Sequence, residues 1–286
     1  MNYYKFFGLS IDPFLKNAMQ GHPSFLSTDF HNASEILRSG VERNGVVLLT
    51  AEPGQGKSHA VDRFLAGLDT SRNSGLYVCP PFVPITEFYR MIAKELGLDP
   101  TGNKQRLQSR IKTHIYSVYK RGRPIVLVVD EAQDLKFSVL EELHVLLNFD
   151  HDTTDAFTLI LSGGPSLNET IDTTEKLSPL KQRITNHYDF NGLSDEEIPL
   201  YLKHKLEFAG ASNLLIDDNA LRCLSTASCG ISRTIDHIMS DALAYGAQLG
   251  RTRIDAEIMQ VAIDNQSLVS RNRFSKKSSA KRANVA

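Results

Sequence analysis

The sequence predicts an α/β fold, in which a doubly wound parallel sheet carries helices on both faces and a small helical domain follows. Three observations support this. Four short runs are apolar throughout, amphipathic helical patterns lie between them, and the strand signal stops near Gly192. Wholly apolar strands suit a parallel sheet that is covered on both faces. Strand and helix alternating along the chain favour the doubly wound arrangement.

The strand candidates are short and rich in Val, Ile, Leu or aromatic residues. They are Gly45–Ala51, Gly75–Cys79, Ile125–Asp130 and Phe157–Ser162, with His187–Phe190 as a candidate fifth strand. Between them, apolar residues recur at the spacing of one helix face. These faces are Phe88, Ile92, Ala93 and Leu96; Leu107, Ile111, Ile115 and Val118; and Leu140, Leu143, Leu146 and Leu147.

Helix start signals dominate the last third of the chain. They are Ser194 with Glu197 as a capping box, then Asp217, Ser232 and Asp255, each ahead of a helical pattern. We therefore expect an α/β domain over residues 1–191 and a helical lid domain over residues 192–266. Residues 267–286 are basic, rich in serine and free of acidic residues, which predicts a disordered tail.

Bulk composition excludes several classes of protein. The formal net charge is −1, so contact with nucleic acid would require a local basic patch. No apolar run approaches the roughly 20 residues that span a bilayer, and the N-terminus lacks the pattern of a signal peptide. A cytoplasmic protein is expected. The three cysteines form no CxxC pair, and we expect no structural metal.

A phosphate-binding loop is indicated by AEPGQGKS, Ala51–Ser58, between a strand and a helix. The pattern G-x-x-x-x-G-K-[ST] is met except that Ala51 replaces its first glycine. The two glycines allow backbone N–H groups to turn toward a polyphosphate. Lysine supplies charge to the β- and γ-phosphates and serine a hydroxyl to Mg²⁺. ATP and Mg²⁺ are the expected ligands, and the candidate contacts are Pro53, Gly54, Gln55, Gly56, Lys57, Ser58 and His59.

A second motif, PIVLVVDEAQDL, is an apolar strand that ends in two acids. An acid at this strand end holds Mg²⁺ in P-loop NTPases, and Asp130 fits that role together with Ser58. Glu131 would act on the attacking water as general base. The alternative is a strand that merely ends in a solvated polar turn.

These motifs resemble the ExeA-like AAA+ ATPases over residues 1 to about 265. The resemblance is carried by AEPGQGKS, VLVVDEAQDL, LHVLLNF (Leu143–Phe149), TLILSGGPSL (Thr158–Leu167), LKQRIT (Leu180–Thr185), FFGLSIDPF and GISRTIDHI (Gly230–Ile238). Within that family the sequence is most similar to ATPases encoded beside transposases, relatives in role of IstB, TniB, TnsC and MuB. The resemblance implies a P-loop NTPase fold with a lid and a homo-oligomer, as a ring or a filament.

Further roles are implied position by position. Ser162 matches the polar sensor-1 residue, although serine is less usual there than asparagine or threonine. Arg183 in LKQRIT matches the arginine finger that reaches the neighbouring subunit's nucleotide; the alternative is a surface arginine in a salt bridge. Arg233 in GISR matches sensor 2, which contacts the nucleotide from the lid; the alternative is an arginine at a helix start.

The resemblance also implies a regulator of DNA transposition, which assembles on double-stranded DNA with ATP and recruits or stimulates a transposase. DNA contacts would come from the segment after the second strand, with Thr101, Lys104 and Arg106 as the candidates. A solvated helix face is the alternative for each basic cluster, and the basic tail is the other candidate DNA path. A secretion ATPase of the ExeA type is the alternative function; it normally carries a transmembrane segment and a peptidoglycan-binding region after the ATPase module. A signalling ATPase is a third class.

Overall fold

The computed structural model describes residues 2–16, 18–19, 22–80, 82–150 and 153–266. The chain divides into two compact units. One is an α/β unit, Thr28–Phe190, and the other combines the described residues before Thr28 with those from 191 to 266. The predicted tail, residues 267–286, lies outside the described residues.

Five parallel strands form the sheet of the α/β unit, in the order β2-β3-β4-β1-β5. They are β1 Val46–Thr50, β2 Ser74–Val78, β3 Ile125–Val129, β4 Phe157–Gly163 and β5 Ile184–Asp189. The helices of this unit are α2 Thr28–Glu42, α3 Lys57–Ala66, α4 Ile85–Glu95, α5 Lys104–Lys120, α6 Phe137–Leu147, α7 Pro165–Thr173 and α8 Ser178–Lys181, with 3-10 turns at Ala132–Asp134 and Glu175–Leu177.

Helices cover both faces of the sheet, because alternate strand residues point to opposite sides. In β3, Val126 and Val128 pack in one cluster with Leu37 of α2 and Val61 of α3. Leu127 of the same strand belongs to the cluster on the other face, with residues of α4, α5 and α6. The doubly wound arrangement that the sequence predicts is confirmed.

Burial differs between the central and the edge strands. Every residue of β1, β3 and β4 is buried, whereas β2 is partly exposed and exposure alternates along β5. An edge strand has one neighbour and less cover, which explains why the β5 signal was the weakest in the sequence. This strand begins at Ile184, three residues before its expected start.

The second unit is helical. It contains α1 Tyr3–Phe6, α9 Glu197–Phe208, α10 Asp218–Ser228, α11 Ser232–Gln248 and a further helix, α12, over residues 256–266. Three of the four predicted helix starts are confirmed as hydrogen bonds; at the fourth, α11 begins at Ser232 with Ile231 as its N-cap. Ser194 and Glu197 bond reciprocally, each side chain accepting from the other's backbone N–H at 3.3 and 3.0 Å. Asp217 and Asp255 accept from N–H groups three residues ahead, at 2.7 and 3.0 Å.

The N-terminal segment belongs to the helical unit, which differs from the expected domain boundary at residue 1. Leu9 and Phe14 are buried in the core of that unit, with Leu202, Met239 and Leu243. Tyr3, Tyr4 and Phe7 pack against the same core. Sequence order could not show this, because the apolar N-terminal residues acquire their partners about 190 residues later in the chain.

Candidate active site

The loop between β1 and α3 has the backbone that the glycine pattern requires. Gly54 and Gly56 both have φ 98°, in the left-handed region where a side chain is strained. Gly56 is also the N-cap of α3, so the N-terminal end of that helix directly follows the loop. Within the loop, the side chain of Gln55 accepts a hydrogen bond from the N–H of Glu52 at 2.6 Å. Pro53 is exposed on the same loop.

Asp130, directly after β3, accepts hydrogen bonds from four side chains. Lys57 Nζ and Ser162 Oγ donate to Oδ1 at 2.9 and 2.6 Å. Ser58 Oγ and Tyr77 OH donate to Oδ2 at 3.0 and 2.6 Å. Lys57 Nζ also donates to Ser162 Oγ at 3.0 Å. The candidate residues from the phosphate loop, the acidic strand end and the fourth strand therefore form one cluster.

Strand order brings these groups together. The strand β4 pairs with β1 on one side and with β3 on the other, so Ser162 lies between the phosphate loop and Asp130. Backbone bonds keep the strand ends level: Ala51 N donates to Gly163 O at 3.1 Å. Ligand sites of open α/β sheets form at this carboxyl edge.

Hydrogen bonding decides the charge state of Asp130. Burial alone would raise the pKa of this carboxyl group, but the bonds from Ser162, Tyr77 and Lys57 hold the pKa below its usual value. The same contact acts in the opposite direction on the tyrosine: burial and the hydrogen bond to Asp130 raise the pKa of Tyr77. Asp130 is therefore a carboxylate at neutral pH and Tyr77 a neutral donor.

The donor set fits a magnesium–nucleotide complex. Lys57 and Asp130 are only 8% and 2% exposed, so their charges interact with little solvent screening. An ammonium group suits phosphate oxygens, and a hydroxyl with a carboxylate suits a hard cation such as Mg²⁺. Lys57 would hold the β- and γ-phosphates, and Ser58 and Asp130 the metal. His59, in the first turn of α3, has its ring 6.3 Å from that of Phe30.

Glu131 follows Asp130 in an unusual backbone conformation, with φ 50° and ψ 39°. Its carboxylate accepts a hydrogen bond from Gln133 Nε2 at 2.7 Å. The position is favourable for a general base, because it directly follows the residue that would hold the metal.

Arg183 lies at the start of β5, at the opposite end of the sheet from the phosphate loop. Its neighbour Ile184 pairs in register with Val46, the first residue of β1. The side chain is 19% exposed and lies 3.9 Å from Asp155, and burial lowers its pKa. The structure does not bring Arg183 to the phosphate loop of its own chain.

Arg233 belongs to the helical unit, as the exposed second residue of α11.

The side chains of Lys104 and Thr101, two of the three candidate DNA contacts, bond within the chain. Lys104 Nζ donates to Glu142 Oε2 of α6 at 2.7 Å. The hydroxyl of Thr101 donates to Asp99 at 2.7 Å. The side chain of Asn103 caps the backbone N–H of Arg106, so this N–H is occupied as well. The side chain of Arg106 is exposed.

Other cations of the same stretch also have partners. Arg110 lies 3.3 Å from Asp99 Oδ2. Lys112 donates to the backbone carbonyls of Val145 and Asn148, and Arg123 to that of Thr70. Most cations of the basic stretch therefore bond to neighbouring parts of their own chain.

Two site residues were not found from the sequence. Tyr77 contacts Asp130 only because β2 and β3 pair with Tyr77 opposite Val128. Gln133 contacts Glu131 because a 3-10 turn follows β3. The polar residue within the apolar β2 run was a signal for the first, whereas the sequence carried no comparable signal for the second.

Among the described residues, no helix is both long and apolar enough to span a membrane.

Comparison with known proteins gives one family and one named relative. Residues 40–171 match the family described as AAA domain. The chain is 30% identical to General secretion pathway protein A of Aeromonas hydrophila over 257 residues. That alignment covers 88% of this chain and 46% of the relative, so the chain spans about half the length of that protein.

Solved structures share the fold at low sequence identity. The Cdc6p of Pyrobaculum aerophilum has a TM-score of 0.61 at 15% identity, covering 86% of this chain and 69% of that chain. The ORC1 protein of Aeropyrum pernix in complex with DNA has a TM-score of 0.60 at 16% identity, covering 92% of this chain and 70% of that chain. The ORC2 protein of the same organism, with ADPNP and ADP, has a TM-score of 0.58 at 13% identity, covering 88% of this chain and 71% of that chain. The chain therefore shares its fold with these proteins, in agreement with the predicted α/β class.

Proposed function

We propose that this chain, whose residues 40–171 match the AAA domain family, binds ATP with Mg²⁺ and hydrolyses it to switch the assembly of an oligomer. The observation that carries the proposal is the convergence of Lys57, Ser58 and Ser162 on Asp130. Metal ions and phosphates are the ligands for which this combination of ammonium, hydroxyl and carboxylate groups is suited.

The chemistry follows from the positions of the side chains. Lys57 and the loop N–H groups hold the β- and γ-phosphates. Ser58 and Asp130 would hold Mg²⁺, which would neutralise phosphate charge when bound. Glu131 accepts the proton of a water whose oxygen attacks the γ-phosphorus. The bond from the γ-phosphorus to the bridging oxygen breaks, and ADP and phosphate leave. By the family resemblance, Ser162 acts as sensor 1, Arg183 as a finger in the next subunit's site and Arg233 as sensor 2.

Two substitutions test the ATPase proposal. Lys57→Ala should abolish nucleotide binding, because the buried ammonium is removed from the phosphate site. Glu131→Gln should keep ATP affinity and lose turnover, since an amide cannot accept the proton. Equilibrium binding of a fluorescent ATP analogue and phosphate release measure the two effects. Hydrolysis by Glu131→Gln at the parental rate would show that Glu131 is not the base.

The oligomer is proposed to assemble on duplex DNA and to regulate transposition by recruiting or stimulating a transposase. The motifs shared with ATPases encoded beside transposases support this role, and the ORC1 protein bound to DNA shows that a DNA-binding protein has the same fold. A grip on phosphates alone suits a helper that accepts many target sequences. This role would place the chain in the cytoplasm.

A second function, in secretion or envelope assembly, is favoured by the relative. The match to General secretion pathway protein A covers 88% of this chain at 30% identity. The secretion role would use the same ATPase cycle with a protein partner in place of DNA.

Binding to random duplex DNA distinguishes the two functions. The transposition role expects binding that requires ATP or a non-hydrolysable analogue and that weakens steeply with salt. Sedimentation with and without DNA should show larger assemblies only when both ligands are present. ATP hydrolysis without DNA binding at low salt would favour the secretion role.

A further inference from the structure

Gln133 links the candidate general base to the end of β4. Its Nε2 donates to Glu131 Oε2 at 2.7 Å, and its Oε1 accepts from the backbone N–H of Gly164 at 2.9 Å. The orientation of the amide is therefore defined. A backbone N–H must face the carbonyl oxygen, so the NH₂ group faces Glu131.

The end of β4 leaves space for this amide. A Cβ added at Gly163 would lie 2.7 Å from Gln133 Oε1 and 2.7 Å from Leu167 Cδ2. Such distances are shorter than packed atoms allow, so a larger residue at this position would displace the side chain of Gln133. Glycine at 163 is thus matched to the presence of Gln133.

Glu131 needs external support for its geometry. Its backbone lies in the left-handed region, where a non-glycine residue is strained and persists only when its surroundings hold it. Asp134 N donates to Glu131 O at 2.9 Å and closes the 3-10 turn. Gln133 adds the contact that fixes the carboxylate itself, through a charge-assisted hydrogen bond.

We propose that Gln133 is a positioning residue for ATP hydrolysis, which sets the carboxylate of Glu131 relative to strand β4. The same strand carries Ser162, which contacts Lys57 and Asp130. Gln133 thereby holds the Glu131 carboxylate at a fixed position relative to the groups that would hold phosphate and metal. This inference rests on the proposed ATPase function and deepens it.

Two variants separate positioning from a purely structural role. Gln133→Glu keeps an oxygen for the Gly164 N–H but replaces the donor to Glu131 with a like charge. Gln133→Met has similar length and loses both hydrogen bonds. If Gln133 only anchored the backbone at Gly164, the Glu variant would behave like the parent and only the Met variant would be impaired.

The positioning role expects kcat to fall about 10- to 100-fold in both variants, the order of effect that displacement of a reacting group by about 1 Å produces. KM for ATP and Kd for the fluorescent analogue should stay within about twofold of the parent, since the groups that hold phosphate are untouched. Gln248→Glu, exposed at the end of α11, is the charge-matched control and should have parental kcat.

The outcomes are distinct. Parental kcat in Gln133→Glu overturns the inference, and this variant decides the question by itself if Gln133→Met does not fold. If the parent hydrolyses ATP no faster than Lys57→Ala, the proposed function fails and the inference with it. If the parent is active and both Gln133 variants match it, only the inference fails.

Discussion

The hydroxyl of Tyr77 donates a hydrogen bond to Oδ2 of Asp130 at 2.6 Å and joins the ends of β2 and β3 at the carboxylate. The same oxygen accepts from Ser58, whose hydroxyl is a candidate magnesium ligand. The hydrogen bond from Tyr77 thus fixes the orientation of the Asp130 carboxylate toward the phosphate loop. Its aromatic ring packs against the hydrophobic cluster between the sheet and helices α2 and α3.

Tyr77→Phe should lower the free energy of unfolding by about 1.5–3 kcal/mol, the usual contribution of a hydrogen bond to a charged group. The ring stays, so packing is preserved and the loss reports the hydroxyl. Urea unfolding at pH 7 measures the change. Tyr119→Phe, on α5, is the matched control and should have a smaller effect; equal losses in both variants would contradict the assignment.

Asp130→Asn should destabilise the chain at pH 7 by about 3–5 kcal/mol, because removing one partner of a buried pair leaves the other unpaired. The folded-state pKa of Asp130 lies below its value in the unfolded chain. Its contribution is therefore present above the unfolded pKa and is lost as the pH falls through the folded pKa. The stability difference between parent and variant should narrow as the pH falls below about 4.

Urea unfolding at a series of pH values, without nucleotide, measures this difference. Asp172→Asn, which breaks the exposed pair with Lys181, is the control and should have little effect at any pH. A parent–variant difference of the same size at pH 3 and pH 7 would contradict the pKa argument.

Arg183→Ala should leave ATP affinity nearly intact and reduce turnover, because the proposed function places this arginine at another subunit's nucleotide. Arg183 lies at the end of the sheet where β1 begins, and the phosphate loop follows the other end of β1. The five residues of β1, Val46–Thr50, separate the two ends by roughly 16 Å at about 3.3 Å per residue. Arginine fingers contribute about 10³–10⁵ in rate in other NTPases. Mixing Arg183→Ala with Lys57→Ala subunits should restore some activity at mixed interfaces.

Asp155→Ala is the control for Arg183. It removes the acidic neighbour at 3.9 Å and keeps the arginine. If this variant loses as much turnover as Arg183→Ala, the arginine serves its own chain through the ion pair. Normal assembly of the mixed subunits without recovered activity would also count against action in trans.

Arg106→Ala should weaken binding to every duplex sequence alike and reduce the slope of log affinity against log salt by about one. Lys104→Ala should have a smaller effect on DNA binding, because Lys104 is paired with Glu142. Fluorescence anisotropy over a salt series measures both, and ATP hydrolysis without DNA should be spared. If neither variant changes affinity or slope, the DNA path lies elsewhere, and Arg271–Arg282 becomes the next segment to test.

The sequence predicted most of the fold because the central strands are buried on both faces. Residues in β1, β3 and β4 have no solvent-facing side, so burial favours apolar residues at consecutive positions. Such a run can be recognised from the sequence alone. β5 was less clear because an edge strand tolerates polar residues such as Asn186 and His187. The sequence assigned the N-terminal segment to the α/β domain and not to the helical unit. Docking of Leu9 and Phe14 in the helical core depends on contacts distant in sequence.

By itself, the sequence determined the residues whose roles follow from local geometry. Lys57 and Ser58 belong to one loop, and Asp130 and Glu131 to one strand end, so spacing alone identified them. The tertiary structure alone decided the contacts that cross strands: Tyr77 with Asp130, Gln133 with Gly164 and Lys104 with Glu142. The physical reason is that loop and helix-start chemistry depends on neighbours in the chain, whereas these pairs depend on strand order, register and helix packing.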